Sequence, residues 1–359
     1  MKYLSVCSGI EAASAAWHHL GWEAVGFAQI DHAKNKQEDY FNRYACAVLA
    51  HHYPTVTNYK DIRNITKENL NGTTFDLLVG GTPCQSFSIA GKRRGLDDKR
   101  GALTFEFIRI LKDFQPRWFI WENVKGAVSS SKGRDFHAVI GAFADAGYCV
   151  GWRVLSGPEF GVPQQRNRVF VVGCLGATPE HIGEVLFKSK VDPRTLSSYR
   201  PSRSTEEYPA EHMESVLFSC NDCRHGTVVS DRISPTLIKA MCKGGKHIPM
   251  VAQIDDPISG CVTKHRAKGP CFEDFQQQSA IPYTDGTQWR MRKLTPLETE
   301  RLMGFPDHYT AVPWLGKSPE DAPDTPRYAA LGNSMIVPTM EWLGRSIQIV
   351  ENNLAYPDV

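Results

Sequence analysis

The 359-residue sequence lacks several features that would otherwise fix its class. No apolar run reaches the roughly 18 residues needed to span a bilayer, and the opening "MKYLSVCSGIEAAS" has no signal-peptide cleavage pattern. No membrane is expected as a partner, and the expected location is the cytoplasm. Ten cysteines would stay reduced there, which argues against a disulfide framework and leaves free thiols. Neither sign of charge is in excess: 41 Lys and Arg against 39 Asp and Glu give a formal +2, so any charged partner must be read from local clusters. Internal repeats are missing, and so is the G-x-G-x-x-G spacing of dinucleotide sites. Cys220 and Cys223 form one CxxC with no second pair, only Cys242 or His225 nearby, so no metal is expected. What is present is 42% hydrophobic and 22% charged, an ordinary folded protein with room for one large and one small domain.

Up to about residue 175, strand and helix signals alternate. "KYLSVCS", "EAVGFAQID", "FDLLVGG", "RWFIWENV", "GWRVLS" and "RNRVFVVG" read as strands. "IEAASAAWHHL", stopped by Gly21, reads as a helix, as do "QEDYFNRYACAVLAHHY", "LTFEFIRILKDF" and "RDFHAVIGAFADAGY". Apolar strands separated by helices predict an α/β fold, a doubly wound and mostly parallel sheet covered on both faces, with ligands beyond the C-terminal strand ends. From about 176 to 290 the pattern gives way to polar loops and short strand-like pieces such as "GTVVS" and "HIPMVAQI", a second, smaller, mainly β domain. Helical sequence returns at "RKLTPLETERLMGFP", with Thr295 as N-cap and Pro296 at the first position. "PTMEWLGRSIQIVENNL" is an amphipathic helix able to pack back on the first sheet. The division predicted is 1–187 with 304–359 for the first domain and 188–303 for the second.

In "FDLLVGGTPCQSFS" an apolar strand runs into Gly80 and Gly81 and then sets Cys84 on the ligand edge of the sheet. A buried cysteine usually acts as a small hydrophobe, but the flanking "TP" and "QS" are poor core sequence. A nucleophilic Cys84 needs nearby positive charge or a proton acceptor, because a free thiol is mostly protonated at neutral pH. The next strand, "WFIWENV", brings Glu122 to the same edge. A carboxyl there can hold a heterocycle by its ring nitrogen and exocyclic amine, and can donate the proton that makes the ring electrophilic.

"GGTPCQSFS", "WENV" and "GVPQQRNRVFVVG", followed by "RKLTPLETERLMGFPDHY" and "YAALGNSMIVP", resemble in order the motif set of the DNA (cytosine-5)-methyltransferases of bacterial and phage type. The resemblance spans nearly the whole chain except the middle. It implies a class I S-adenosylmethionine-dependent methyltransferase fold in which Cys84 adds to C6 of a cytosine, Glu122 grips N3 and the amine, and Arg166 and Arg168 contact the base and hold the site. S-adenosylmethionine is the implied cofactor. Cys7, Ser8, Gly9 and Ile10 of the first turn would meet its methionine part, although Glu11 and Ala12 depart from the glycines usual there. Gln29 stands where the family offers a glutamate to the ribose, with Ile30 beside it and Asp31 two residues on. Asp61 and Ile62, Pro83, Leu103, Asn333 and Met335 complete the implied cofactor pocket.

The implied partner is double-stranded DNA, with the target nucleotide flipped out of the stack. Lys92, Arg93, Arg94 and Arg100, in a glycine-hinged loop after Cys84, read as a lid closing on phosphates. The resemblance adds Gln85, Ser88, Gln164 and the Thr236-Leu237 element to the DNA contacts, and makes 188–303 a target-recognition domain. A monomer is expected, acting alone or beside a separately encoded cognate restriction endonuclease. The alternatives are a tRNA cytosine-C5 methyltransferase and a non-catalytic DNA-binding protein of the same fold.

Overall fold

The structure is a computed structural model that describes residues 1–32, 36–82, 102–196 and 294–355, together with the backbone of five strands between 215 and 293. Strands β1 (Lys2–Val6), β2 (Glu23–Ala28), β3 (Leu77–Gly80) and β4 (Trp118–Val124) alternate with helices α1 (Ala12–Trp17), α2 (Lys36–His52) and α3 (Ala102–Phe114). Then come α4 (Arg134–Asp145), β5 (Tyr148–Ser156), the two-residue β6 (Gln164–Gln165) and β7 (Asn167–Leu175). Six strands form one sheet in the order β2-β1-β3-β4-β7-β5. β1 to β4 run parallel, whereas β7 is antiparallel to both β4 and β5. An isolated parallel bridge from Phe27 to Asn58 extends the β2 edge.

The strand sequences are apolar on both faces because both faces are covered. Tyr3, Leu77, Val79, Trp118 and Ile120 point into one core, and Leu4, Val6, Leu78, Phe119 and Trp121 into the other, following the two-residue period of a strand. α3 and α4 supply Phe107, Leu111, Phe136 and Phe143 to the second core. The first core receives α1 and α8 (Val337–Ala355), the latter through Trp342, Leu343 and Ile347. Indole N–H groups pin α8 down: Trp17 donates to the Met340 carbonyl at 2.6 Å and Trp118 to Glu351 at 2.8 Å. Among the described residues no helix is long and apolar enough to cross a membrane.

One expectation needs correction. The stretch from about 176 is expected to hold polar loops and short strand-like pieces, yet Pro179–Leu186 forms a helix, α5. Thr178 and His181 make a capping box, Pro179 takes the first turn, and Ile182, Val185 and Leu186 are buried at i, i+3 and i+4. The helix is short, so its period is brief, but its start signal is in the sequence. α6 (Pro296–Met303) begins as predicted, Thr295 accepting from Glu298 N at 3.2 Å while the Glu298 carboxylate receives Thr295 N at 2.7 Å. Leu302 and Met303 of α6 lie in the first core. α7 (Asp324–Asn333) precedes α8.

β8 (Ser215–Ser219), β9 (Thr227–Ser230), β11 (Pro249–Ile254) and β12 (Trp289–Lys293) form a separate antiparallel sheet in the order β12-β11-β8-β9. The two-residue β10 (Ser234–Pro235) instead pairs with β6, Ser234 opposite Gln164.

Candidate active site

The chain leaves β1 toward β2 on one side and β3 on the other, the arrangement that opens a crevice at the C-terminal strand ends. A cleft partly open to solvent lies there. The turn after β1 forms its floor. Cys7, Gly9 and Glu11 all take left-handed φ, of 52°, 59° and 67°. Gly9 adopts this freely, whereas the other two carry a steric cost that local bonds must offset. Cys7 N donates to the Ala28 carbonyl at 2.8 Å and Glu11 N to the Ser8 carbonyl at 2.9 Å. The Glu11 carboxyl N-caps α1 by accepting from Ser14 N at 3.2 Å, and also accepts from Ser5 Oγ at 2.7 Å. Only 1% exposed, its pKa is pushed by burial up to about 7. Ile10 is buried in the first core, its carbonyl accepting from Tyr309 Oη at 2.8 Å.

At the end of β2, Gln29 is buried and its Oε1 accepts from Gly9 N at 2.8 Å, so this side chain ties the first turn to the neighbouring strand. Its Nε2 donates to the Ile30 carbonyl at 3.1 Å, and Ile30 itself is exposed. Asp31 pairs with Lys60 at 2.8 Å, and hydrogen bonds from Lys60 and His32 draw its carboxyl down to about 2. Asp61 caps a short turn at 62–64, accepting from Arg63 N at 2.9 Å, and Arg63 holds its carboxyl below the usual range. The Ile62 side chain is in the second core, with Leu103 packed against it from α3.

The other wall is the end of β3 and β4. A Cβ on Gly80 would sit 2.4 Å from the Val6 carbonyl, and one on Gly81 would sit 2.8 Å from Glu122 Oε2, so only glycine lets these strand ends and the Glu122 carboxylate approach each other. Glu122 Oε1 lies 3.1 Å from Arg168 Nε, the ladder setting Arg168 opposite Val124 and therefore on the Glu122 side of the sheet. Burial raises the Glu122 pKa, and Arg168 and then Arg166 oppose that rise only in part. Arg166, 3% exposed, donates to the Ser334 carbonyl at 2.7 Å and the Gly332 carbonyl at 3.3 Å, joining the site to the end of α7. Burial, with Arg168 beside it, lowers its pKa to about 9.

The structure thus brings Cys7, Ser8, Asn333 and Met335 of the expected cofactor set to the same cleft as Glu122. Gly9, Ile10, Gln29, Ile30, Asp61, Ile62 and Leu103 do not line it. Cys84, Pro83, Gln85, Ser88, Lys92, Arg93, Arg94, Arg100, Thr236 and Leu237 lie outside the described residues, as do Cys220, Cys223, His225 and Cys242. Gln164 is fully buried, and its amide donates to the Leu302 carbonyl of α6 at 2.9 Å.

Sequence reasoning missed Thr82, the last described residue before Cys84. Thr82 is 2% exposed; its hydroxyl accepts from Trp121 Nε1 at 2.8 Å and bonds Thr104 Oγ1 at 2.8 Å, and its carbonyl accepts from Asn123 Nδ2 at 3.1 Å. The sequence signal was the polar Thr and Asn placed directly beside the two chemical residues. Among the described thiols, burial pushes Cys7 and Cys174 up to about 12, Cys46 up to about 11 and Cys149 above its ordinary value. None of these four is a candidate nucleophile at neutral pH.

The sequence profile of a family described as C-5 cytosine-specific DNA methylase matches residues 1–349. The chain is 28% identical to a "DNA N-6-adenine-methyltransferase" of Escherichia phage P1, over 96% of this chain and 61% of that protein. It is 39% identical to the orphan methyltransferase M.SPRI of Bacillus phage SPR, over 48% of this chain and 37% of that protein. The chain therefore spans less than two thirds of the length of these two relatives. Among solved structures, the Dnmt2 methyltransferase of S. pombe superposes with a TM-score of 0.65 at 19% identity, covering 99% of this chain and 100% of the other, a likeness of fold.

Proposed function

The chain belongs to the C-5 cytosine-specific DNA methylase family, and on that premise we propose that it transfers a methyl group from S-adenosylmethionine to C5 of a cytosine flipped out of a specific duplex DNA sequence. The observation that carries this reading is the Glu122–Arg168 pair, set over Gly81 and sharing one cleft with the turn after β1.

The cleft chemistry fits the cofactor. Ser8 and Asn333 offer polar groups to it, and the buried Glu11 carboxyl suits a cationic ligand. S-adenosylmethionine, when bound, supplies a methyl carbon activated by its sulfonium. The protein's part is to make cytosine C5 nucleophilic. Cys84 bonds to C6, which breaks the aromaticity and loads electron density onto C5. Glu122 holds N3 and the exocyclic amine, and its raised pKa suits a carboxyl that brings a proton to N3. Arg168 orients that carboxyl, and Arg166 fixes the site to α7. Once C5 carries the methyl group, loss of its proton expels the Cys84 sulfur.

Residues 188–303, which hold the four-stranded antiparallel sheet, serve as the target-recognition domain, and 1–187 with 304–359 as the catalytic domain. The protein acts as a monomer in the cytoplasm of a bacterial or phage-infected cell, alone or beside a cognate nuclease. Nucleoside mass spectrometry after incubation with S-adenosylmethionine tests the activity. Duplex DNA should gain 5-methylcytosine. N6-methyladenine as the product, or 5-methylcytosine only in tRNA, would overturn the reading. Cys84→Ser should abolish turnover and keep DNA binding, and DNA carrying 5-fluorocytosine should trap a covalent complex with the unaltered protein.

A further inference from the structure

Among the described residues two carboxyls line the cleft, and the covalent chemistry uses only Glu122. Glu11 is the more buried of the two, and it accepts from neutral donors, Ser5 Oγ and Ser14 N. The groups that face it from neighbouring elements are Tyr3 of β1, Tyr53 after α2 and Tyr309 after α6, with Cys7 on the same turn and Glu122 in the same cleft. Tyr3 bonds Ser14 Oγ at 2.5 Å, and Tyr53 bonds Tyr309 at 3.1 Å. Burial raises the three phenols and the Cys7 thiol, so all four are neutral near pH 7. Among the described residues no Lys, Arg or His forms an ion pair with Glu11. A buried carboxylate held only by neutral donors is poorly compensated, so in the free protein it tends to keep its proton. A cation entering the cleft would complete it.

We propose that Glu11 is the counter-charge for the α-ammonium of the cofactor's methionine end, and that the free protein gives up the Glu11 carboxyl proton to solvent when the cofactor binds. This rests on the cofactor reading above. The left-handed turn supports it: Glu11 occupies φ 67°, which a glycine would meet at lower cost, so the side chain there has work that offsets the strain. Its pKa of about 7 leaves most of the protein protonated at pH 6 and little of it at pH 8. The α-ammonium keeps its charge at the pH where Glu11 loses its proton, so affinity should rise from pH 6 and level off above 7.

Isothermal titration calorimetry of the full chain, in buffers of differing ionisation enthalpy, counts the protons directly. S-adenosylmethionine and S-adenosylhomocysteine share the ammonium, and only the first has the sulfonium. Both should release close to one proton at pH 6 and bind about tenfold more weakly at pH 6 than at pH 7.5. Methylthioadenosine, with neither cation, should release none. Glu11→Gln keeps an oxygen for Ser14 N and should flatten the pH dependence below 7 while weakening binding at pH 7.5 by roughly tenfold. Glu11→Gly, suited to the left-handed backbone, should do the same if the glutamine variant folds poorly. Proton release with S-adenosylmethionine alone would move the contact to the sulfonium and overturn the assignment. Binding of both ligands without proton release would overturn the inference only. Absence of binding at every pH would remove the cofactor reading as well.

Discussion

The two ends of the cleft treat a buried carboxyl in opposite ways. At the end of β4, Glu122 faces two guanidiniums from β7 and the link before it, and Arg168 touches it at 3.1 Å. At the end of β1, Glu11 is surrounded by hydroxyls and one amide. A flipped cytosine is neutral and brings no charge, so the protein must supply its own cations to set the Glu122 proton. A cationic cofactor brings its charge with it, so the first turn needs only an acid. The contrast concerns where charge comes from, since burial pushes both groups upward in pKa.

The largest effect that would sharpen this comparison is at the base end. Glu122→Gln keeps size and one acceptor but cannot deliver a carboxyl proton. The methylation rate should fall by roughly 10²–10⁴-fold, while the calorimetric Kd for S-adenosylmethionine changes little. A matching loss of cofactor affinity would mean that the two ends are one electrostatic unit, and the comparison would fail.

A smaller effect belongs to the cofactor end, and it appears without any ligand. The folded pKa of Glu11, about 7, lies above its unfolded value of 4.5. Between those limits the folded state binds the proton more tightly, so stability falls as pH rises from 4.5 to 7 and then levels off. Comparing denaturant unfolding of the protein and of Glu11→Gln across that window removes the contributions both share. The protein should lose about 3 kcal/mol more than the variant between pH 4.5 and 7.5. Parallel curves would show that Glu11 is already an ionised, charge-compensated carboxylate in the free protein.

Much of this was legible in the sequence, for reasons that differ by residue. The βα alternation through β7 could be read because each strand is apolar on both faces and each helix has an end signal, such as Gly21 after α1 or Thr295 before α6. Glu122 could be set on the ligand edge because its strand follows the one leading to Cys84, whereas Arg168 was implied only by the resemblance, and its meeting with Glu122 depends on β7 running antiparallel beside β4. Gln164 could not be placed, because a polar side chain beside arginines reads as a surface group until α6 is seen closing over it. Gln29 has the same difficulty: its bond to Gly9 depends on how far β2 runs past β1, a register that composition does not give. Glu11 was legible as a departure from glycine but not as a cap, since a left-handed N-cap is contrary to the usual extended conformation at that position.

The finest test concerns how the base end is held in place. Thr82 begins the segment that leads to Cys84, and its hydroxyl serves both the Trp121 indole of β4 and Thr104 of α3. Thr82→Val preserves shape and leaves the carbonyl for Asn123. It removes the acceptor of the indole N–H and the partner of the Thr104 hydroxyl, in a place closed to water, which should cost about 1–3 kcal/mol in unfolding free energy. Thr104→Val removes the other half of the hydroxyl pair. If the two hydroxyls act together, the double variant should lose less than the sum of the singles, by at least about 0.5 kcal/mol. Turnover should fall with Thr82→Val while cofactor affinity holds, because the loop start shifts and the first turn does not. Strict additivity, or an equal loss at both ends of the cleft, would mean that Thr82 stabilises the fold generally and does not position the cysteine loop.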